Sequence, residues 1–78
     1  MQKRLSDCLL GEAIEVLSIE DDFMATKLIE MGMTEQLKTK IVLIAPLGDP
    51  IAIDIKGFTL SLRISEAEKI LVKKLSQH

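Results

Sequence analysis

The chain has 78 residues, of which 47% are hydrophobic and 28% charged, and its net charge is −2. That length suits one small domain, residues 1–78, and that composition excludes intrinsic disorder. Acids and bases are interleaved, which leaves no basic face to capture nucleic acid and no polybasic stretch to hold a membrane surface.

From the N-terminus, Leu5–Glu12 reads as a single helical turn that Ser6 caps and Gly11 closes. Glu12–Ile19 follows as a strand, with Ile14, Val16 and Ser18 on one face and Glu15, Leu17 and Ile19 on the other. Glu20-Asp21-Asp22 then places carboxylates where the exposed amides of a helix N-terminus favour negative charge. Phe23, Met24, Leu28 and Met31 fall on or near one stripe at helical spacing, and Gly32 stops the helix. A helix of about ten residues cannot stand alone, so it must pack on a sheet.

Leu37–Ala45, with Ile41-Val42-Leu43-Ile44 at its centre, reads as a long strand. Pro46 to Pro50 puts two prolines and a glycine into five residues. Prolines cannot donate to a ladder, so they belong at strand ends, where they stiffen the reversal at Gly48-Asp49. Ile51, Ile53 and Ile55 then alternate with Ala52, Asp54 and Lys56. Beyond a Lys56-Gly57 turn, Phe58, Leu60, Leu62 and Ile64 alternate with Thr59, Ser61, Arg63 and Ser65, a strict period of two. Ser65-Glu66-Ala67-Glu68 has the form of a capping box, and Ile70–Lys74 closes the chain as a strand with Ile70 and Val72 inward.

The order predicts a mainly β fold: a small five-stranded SH3-like barrel with one inserted α-helix and short helical turns. Curling lets one sheet bury a face without a second layer and shields most edges. Phe23 and Phe58 are the sole aromatic residues, so the core must be aliphatic.

Catalytic vocabulary is sparse. The one histidine is the terminal His78, and the one cysteine, Cys8, lacks a cationic neighbour and reads as a buried small hydrophobe. There is no nucleophile–base pair and no phosphate-binding or zinc motif. The carboxylates of Glu20, Asp21 and Asp22 are consecutive and converge poorly on one cation. Met24, Met31 and Met33 read as adaptable packing rather than a soft-metal site. A lone cysteine, no secretory signal and no apolar run longer than Ile41–Leu47 point to a cytoplasmic protein without membrane insertion. The expectation is a non-enzyme with no catalytic or metal-ligating residues and no cofactor. Recognition of proline-rich peptides needs an aromatic-lined groove that this composition does not supply. Any partner surface is therefore aliphatic and methionine-rich, with charged edges.

Leu5-Ser6-Asp7 with Gly11-Glu12, Leu28 to Gly32, the segment Ala45-Pro46-Leu47-Gly48-Asp49-Pro50-Ile51, Gly57, Leu60-Ser61-Leu62-Arg63 and Glu66-Ala67 together resemble the FeoA family over nearly the whole chain. The resemblance implies an SH3-like barrel with an inserted helix. It also implies an accessory role in bacterial ferrous iron uptake, by protein–protein interaction with the cytoplasmic part of FeoB, the membrane permease with a GTP-binding domain. It places the chain among proteins of transition metal ion binding and iron transport, with no ligand residue assigned. The candidate partner surface comprises Met24, Lys27, Met31 and Met33 of the helix region, and Pro46, Leu47, Gly48, Asp49 and Pro50 of the turn. Arg63 reads as a strand residue rather than an arginine finger. The alternative is a free regulatory or metal-sensing module related to the C-terminal domain of iron-dependent repressors. The lack of a helix-turn-helix and of a histidine–carboxylate cluster argues against it. Two departures from the family pattern stand out: Thr26-Lys27 precedes Leu28 where arginines are common, and Glu35-Gln36 stands where Pro-Gly is common. A positive φ at Gln36 would cost roughly 1 kcal/mol. Weak homo-oligomerisation through methionines or a sheet edge fits so small a barrel.

Overall fold

The computed structural model describes residues 2–75; His78 lies outside them. The isoleucine ladders do what their period demands. Strands β2 (Ala13–Ile19), β3 (Lys38–Ile44), β4 (Ile51–Ile55), β5 (Phe58–Leu62) and β6 (Ile70–Lys74) pair antiparallel and point Ile14, Val16, Ile41, Ile51, Ile53, Ile55, Leu62, Ile70 and Val72 into one aliphatic core. A further strand, β1 (Gln2–Arg4), pairs with β6 and makes the sheet six-stranded, in the order β1-β6-β2-β3-β4-β5. Its polar Gln-Lys-Arg carries no strand pattern; the ladder of β6 imposes the conformation. The register of β2 against β6 shifts between Val16 and Ser18, a bulge that bends the strand so it serves β3 with its first half and β6 along its length.

Helix α1 spans Asp22–Glu30, with Asp21 as N-cap accepting the Met24 N–H at 2.9 Å. Its buried stripe is narrower than the spacing predicts. Leu28 is buried and Met24 packs partly on the core, but Phe23 is 73% and Met31 43% exposed. The core contact is completed instead by Met33, three residues beyond the helix. Gly32 takes φ +101°, its N–H donates to Ile29 C=O at 3.0 Å, and Met33 N–H donates to Leu28 C=O at 2.9 Å. This is a Schellman ending, which folds the following side chain back onto the helix. Met33 is thereby completely buried. A Cβ on Gly32 would sit 3.0 Å from Ile55 Cγ2, so glycine is required there by space as well as by φ.

The second helical turn, α2, runs Ile64–Ala67 and starts earlier than a Ser65 cap predicts. Arg63 is the N-cap, its N–H donating to Glu66 Oε1 at 2.8 Å. The other acceptor comes from across the fold: Asp49 Oδ1 takes the Ile64 N–H at 3.1 Å. At the start of the chain a short turn of 3-10 helix, Leu5–Asp7, has no side-chain cap, and Ser6 does not act as one.

Candidate functional site

The Pro46–Pro50 turn is held at its base and at its tip. Ala45 N–H donates to Pro50 C=O at 3.0 Å, and Gly48, at φ +86°, donates to Ala45 C=O at 2.7 Å. The Asp49–Pro50 peptide is cis. This geometry leaves Leu47 96% exposed at the apex. Through Asp49 the turn is tied to the first turn of α2, and between them lies an open groove lined by Asp49, Pro50, Ser61, Leu62, Arg63 and Glu66. Arg63, expected within a strand, stands exposed just past β5 on the wall of this groove.

The helix half of the predicted surface is distinct. Phe23, Lys27 and Met31 occupy one exposed strip of α1, with Lys27 Nζ 4.8 Å from the centroid of the Phe23 ring. A cation over an aromatic face is weakly attracted, which orders the pair. Met24 is partly buried beside this strip, and Met33 must be removed from the candidate surface because its side chain is wholly in the core. Gly32, just past the end of α1, rests against Ile55, at the opposite end of β4 from the proline-pinned turn. Among the described residues no hydrogen bond or ion pair joins α1 to that turn. The sequence-predicted residues therefore fall into two patches, the Leu47 turn and Lys27 with Met31 on α1, a strip that Phe23, outside the prediction, extends.

Two features were not anticipated. The Leu9-Leu10 loop exposes both leucines, braced beneath by Glu12. Glu12 accepts the Leu9 N–H at 2.9 Å and pairs with Lys3 Nζ at 2.6 Å, so it locks β1 to the loop. Burial pushes the Glu12 carboxyl upward, but Lys3 and the Leu9 amide outweigh it and hold it below its ordinary range. The same contact raises Lys3. The Cys8 thiol lies buried, and burial together with the nearby Glu12 charge pushes it up to about 11, an inert thiol at neutral pH. Among the described residues no group of three or more His, Cys, Asp or Glu side chains converges as a cation site. Nor is any helix there long and apolar enough to cross a membrane.

Strand order, the inserted helix and the short turn before the last strand define a small SH3-like barrel. Solved structures agree. The FeoA-like protein of Clostridium acetobutylicum superposes with a TM-score of 0.85 at 35% identity, covering 99% of this chain and 91% of that one. The Stenotrophomonas maltophilia FeoA–zinc complex, described as a procaryotic SH3 domain protein and suggested to be a ferrous iron transport activating factor, gives a TM-score of 0.79 at 29% identity over 91% of this chain and 89% of that one. A manganese-dependent transcriptional repressor matches with a TM-score of 0.83 at 22% identity over 95% of this chain but 37% of its own, which shows a shared fold alone. No curated protein sequence matches the chain. The FeoA domain model matches residues 3–74, and the chain belongs to the FeoA family.

Proposed function

We propose that this protein is an accessory factor of bacterial ferrous iron uptake that works by contact with the cytoplasmic part of a FeoB-type permease, without catalysis of its own. The observation that carries the reading, beside family membership, is the Pro46–Pro50 turn: a fully exposed leucine on a backbone fixed by two prolines, two turn hydrogen bonds and the Asp49–Ile64 bond. A rigid apolar knob loses little entropy on docking, which favours a role in recognition. The strip of Phe23, Lys27 and Met31 offers a second exposed apolar contact, edged by one lysine. Titration of the chain against the cytoplasmic part of a FeoB-type permease, with and without guanine nucleotide, tests this. Leu47→Asp is expected to weaken binding at least tenfold with an unchanged melting temperature. No binding in either nucleotide state, or undiminished binding by the variant, overturns the proposal. The regulatory alternative rests on the fold shared with the repressor; a tight stoichiometric site for Fe(II) in anaerobic calorimetry would favour it.

A further inference from the structure

Strand β5 is an edge. It pairs with β4 alone and stands last in the sheet. Its turn, Lys56-Gly57, has φ of +47° and +102°, the mirror-image type that closes a hairpin on a hydrogen-bonded pair, here Ile55 and Phe58. Pairs alternate along an antiparallel ladder, so Thr59 and Ser61 lie opposite Asp54 and Ala52 without hydrogen-bonding to them. The Asp54 carbonyl confirms this parity, since it turns away from β5 to accept the Thr39 hydroxyl. The N–H and C=O of Thr59 and Ser61 consequently face outward, and among the described residues nothing bonds to them. The usual guards of an edge are missing: Phe-Thr-Leu-Ser-Leu has no charge, no proline and no bulge. On the inner face Leu62 is buried, whereas Leu60 is partly open and Phe58 is 47% exposed.

We propose that this edge pairs with the same edge of a second copy, antiparallel about a two-fold axis at Leu60, an interaction separate from contact with a permease. The register follows from the chemistry. With the axis at Leu60, Thr59 exchanges hydrogen bonds with Ser61 of the second copy and Ser61 with Thr59, so both residues with outward-facing backbone groups are paired. Leu60 then meets its own copy, so the partly open leucines cover one another, and the half-exposed Phe58 lies opposite Leu62 of the second copy. The same register carries Lys56 of the second copy past Ile64, into the groove walled by Asp49 and Glu66. Each of those carboxylates spends one oxygen on a backbone N–H at the start of α2, and among the described residues the other oxygen has no partner. Lys56 is exposed and forms no ion pair among the described residues. A single isologous interface thus closes; at each end the lysine enters a groove whose two carboxylates outnumber its one cation, Arg63.

Sedimentation equilibrium of the full chain from about 10 μM to 1 mM, the range of weak self-association, is expected to show the mass rising from 8.7 kDa toward twice that value. Thr59 and Ser61 amides should gain hydrogen-exchange protection over the same range. The double variant T59K/S61K sets like charges opposite each other and stays monomeric, as does T59E/S61E; an equimolar mixture of the two recovers the dimer. Lys56→Glu, on an exposed turn, weakens the dimer at least tenfold and supplies the test if a strand variant fails to fold. A chain that is monomeric throughout overturns the proposal, including one that takes an extended peptide at this edge instead. So does a dimer in which Thr59 and Ser61 exchange freely, or one indifferent to Lys56→Glu.

Discussion

Gln36 is held at φ +70°, a conformation that favours glycine. The left-handed region crowds Cβ against the following carbonyl and costs a non-glycine residue about 1–2 kcal/mol. The position is nonetheless compulsory. Gln36 N–H donates to Val16 C=O at 2.7 Å, and the next carbonyl, of Leu37, accepts the Val16 N–H at 2.8 Å, so the loop is clamped to β2 on both sides. Gln36→Gly keeps these backbone bonds and, the side chain being exposed, uncovers no core. Against the relieved strain stands the greater freedom of glycine in the unfolded chain, about 0.5–1 kcal/mol. The net expectation is a gain of about 0.5–1 kcal/mol, which for a domain of this size raises the melting temperature by roughly 2–8 °C. Gln36→Ala retains the Cβ and should change little, while Gln36→Val, branched at that carbon, should lose stability. Thermal unfolding by far-UV circular dichroism of the three variants reads the series. A glycine variant no more stable than the alanine one would refute the strain argument.

Other consequences follow from the core and the Glu12 lock. Met33→Ala empties a wholly buried site and should cost about 2–5 kcal/mol, measured as a drop in the urea midpoint; a surface methionine would show almost none. Gly32→Ala combines φ +101° with the 3.0 Å approach to Ile55 and should lower the melting temperature more than alanine at Gly11, where a Cβ meets nothing within 4 Å. Because the Glu12 carboxyl lies below its ordinary 4.5 when folded, its contribution is complete above that value and is lost as pH falls through the folded one. The stability gap between wild type and Glu12→Gln should therefore be widest above pH 4.5 and close on acidification, as read from melting temperature against pH.

How far each element was legible depends on where its cause resides. The β4–β5 hairpin reads directly, since Ile51, Ile53 and Ile55, followed by Lys56-Gly57, carry period, register and turn within one stretch. β1 does not, because Gln2-Lys3-Arg4 is extended for the sake of Leu71, Val72 and Lys73, distant in the chain. The register of α2 was read from Ser65 and Glu68, a local signature. The carboxylates that satisfy its first amides belong to Glu66 and to Asp49, fifteen residues away. A cap donated by a tertiary neighbour leaves no trace at the helix start. The Pro46–Pro50 turn was placed correctly by its own residues, but its attachment to α2 is a property of the fold.

The methionines show the same division within the candidate site. Met31 and Met33 are two residues apart, and residue type alone gives each an equal claim to the surface. Their fates part at Gly32. With Glu30 as the last helical residue, Leu28 is third from the end and Met33 second beyond the cap, the positions whose side chains meet in a Schellman motif. Leu28-x-x-x-Gly32-Met33 therefore contained the signal that Met33 turns inward, five residues after its contact. Met31 precedes the positive φ and is left facing water beside Lys27 and Phe23. One backbone angle, legible from one glycine, separates a core residue from an exposed one. That is why the exposed strip along α1 ends before Gly32.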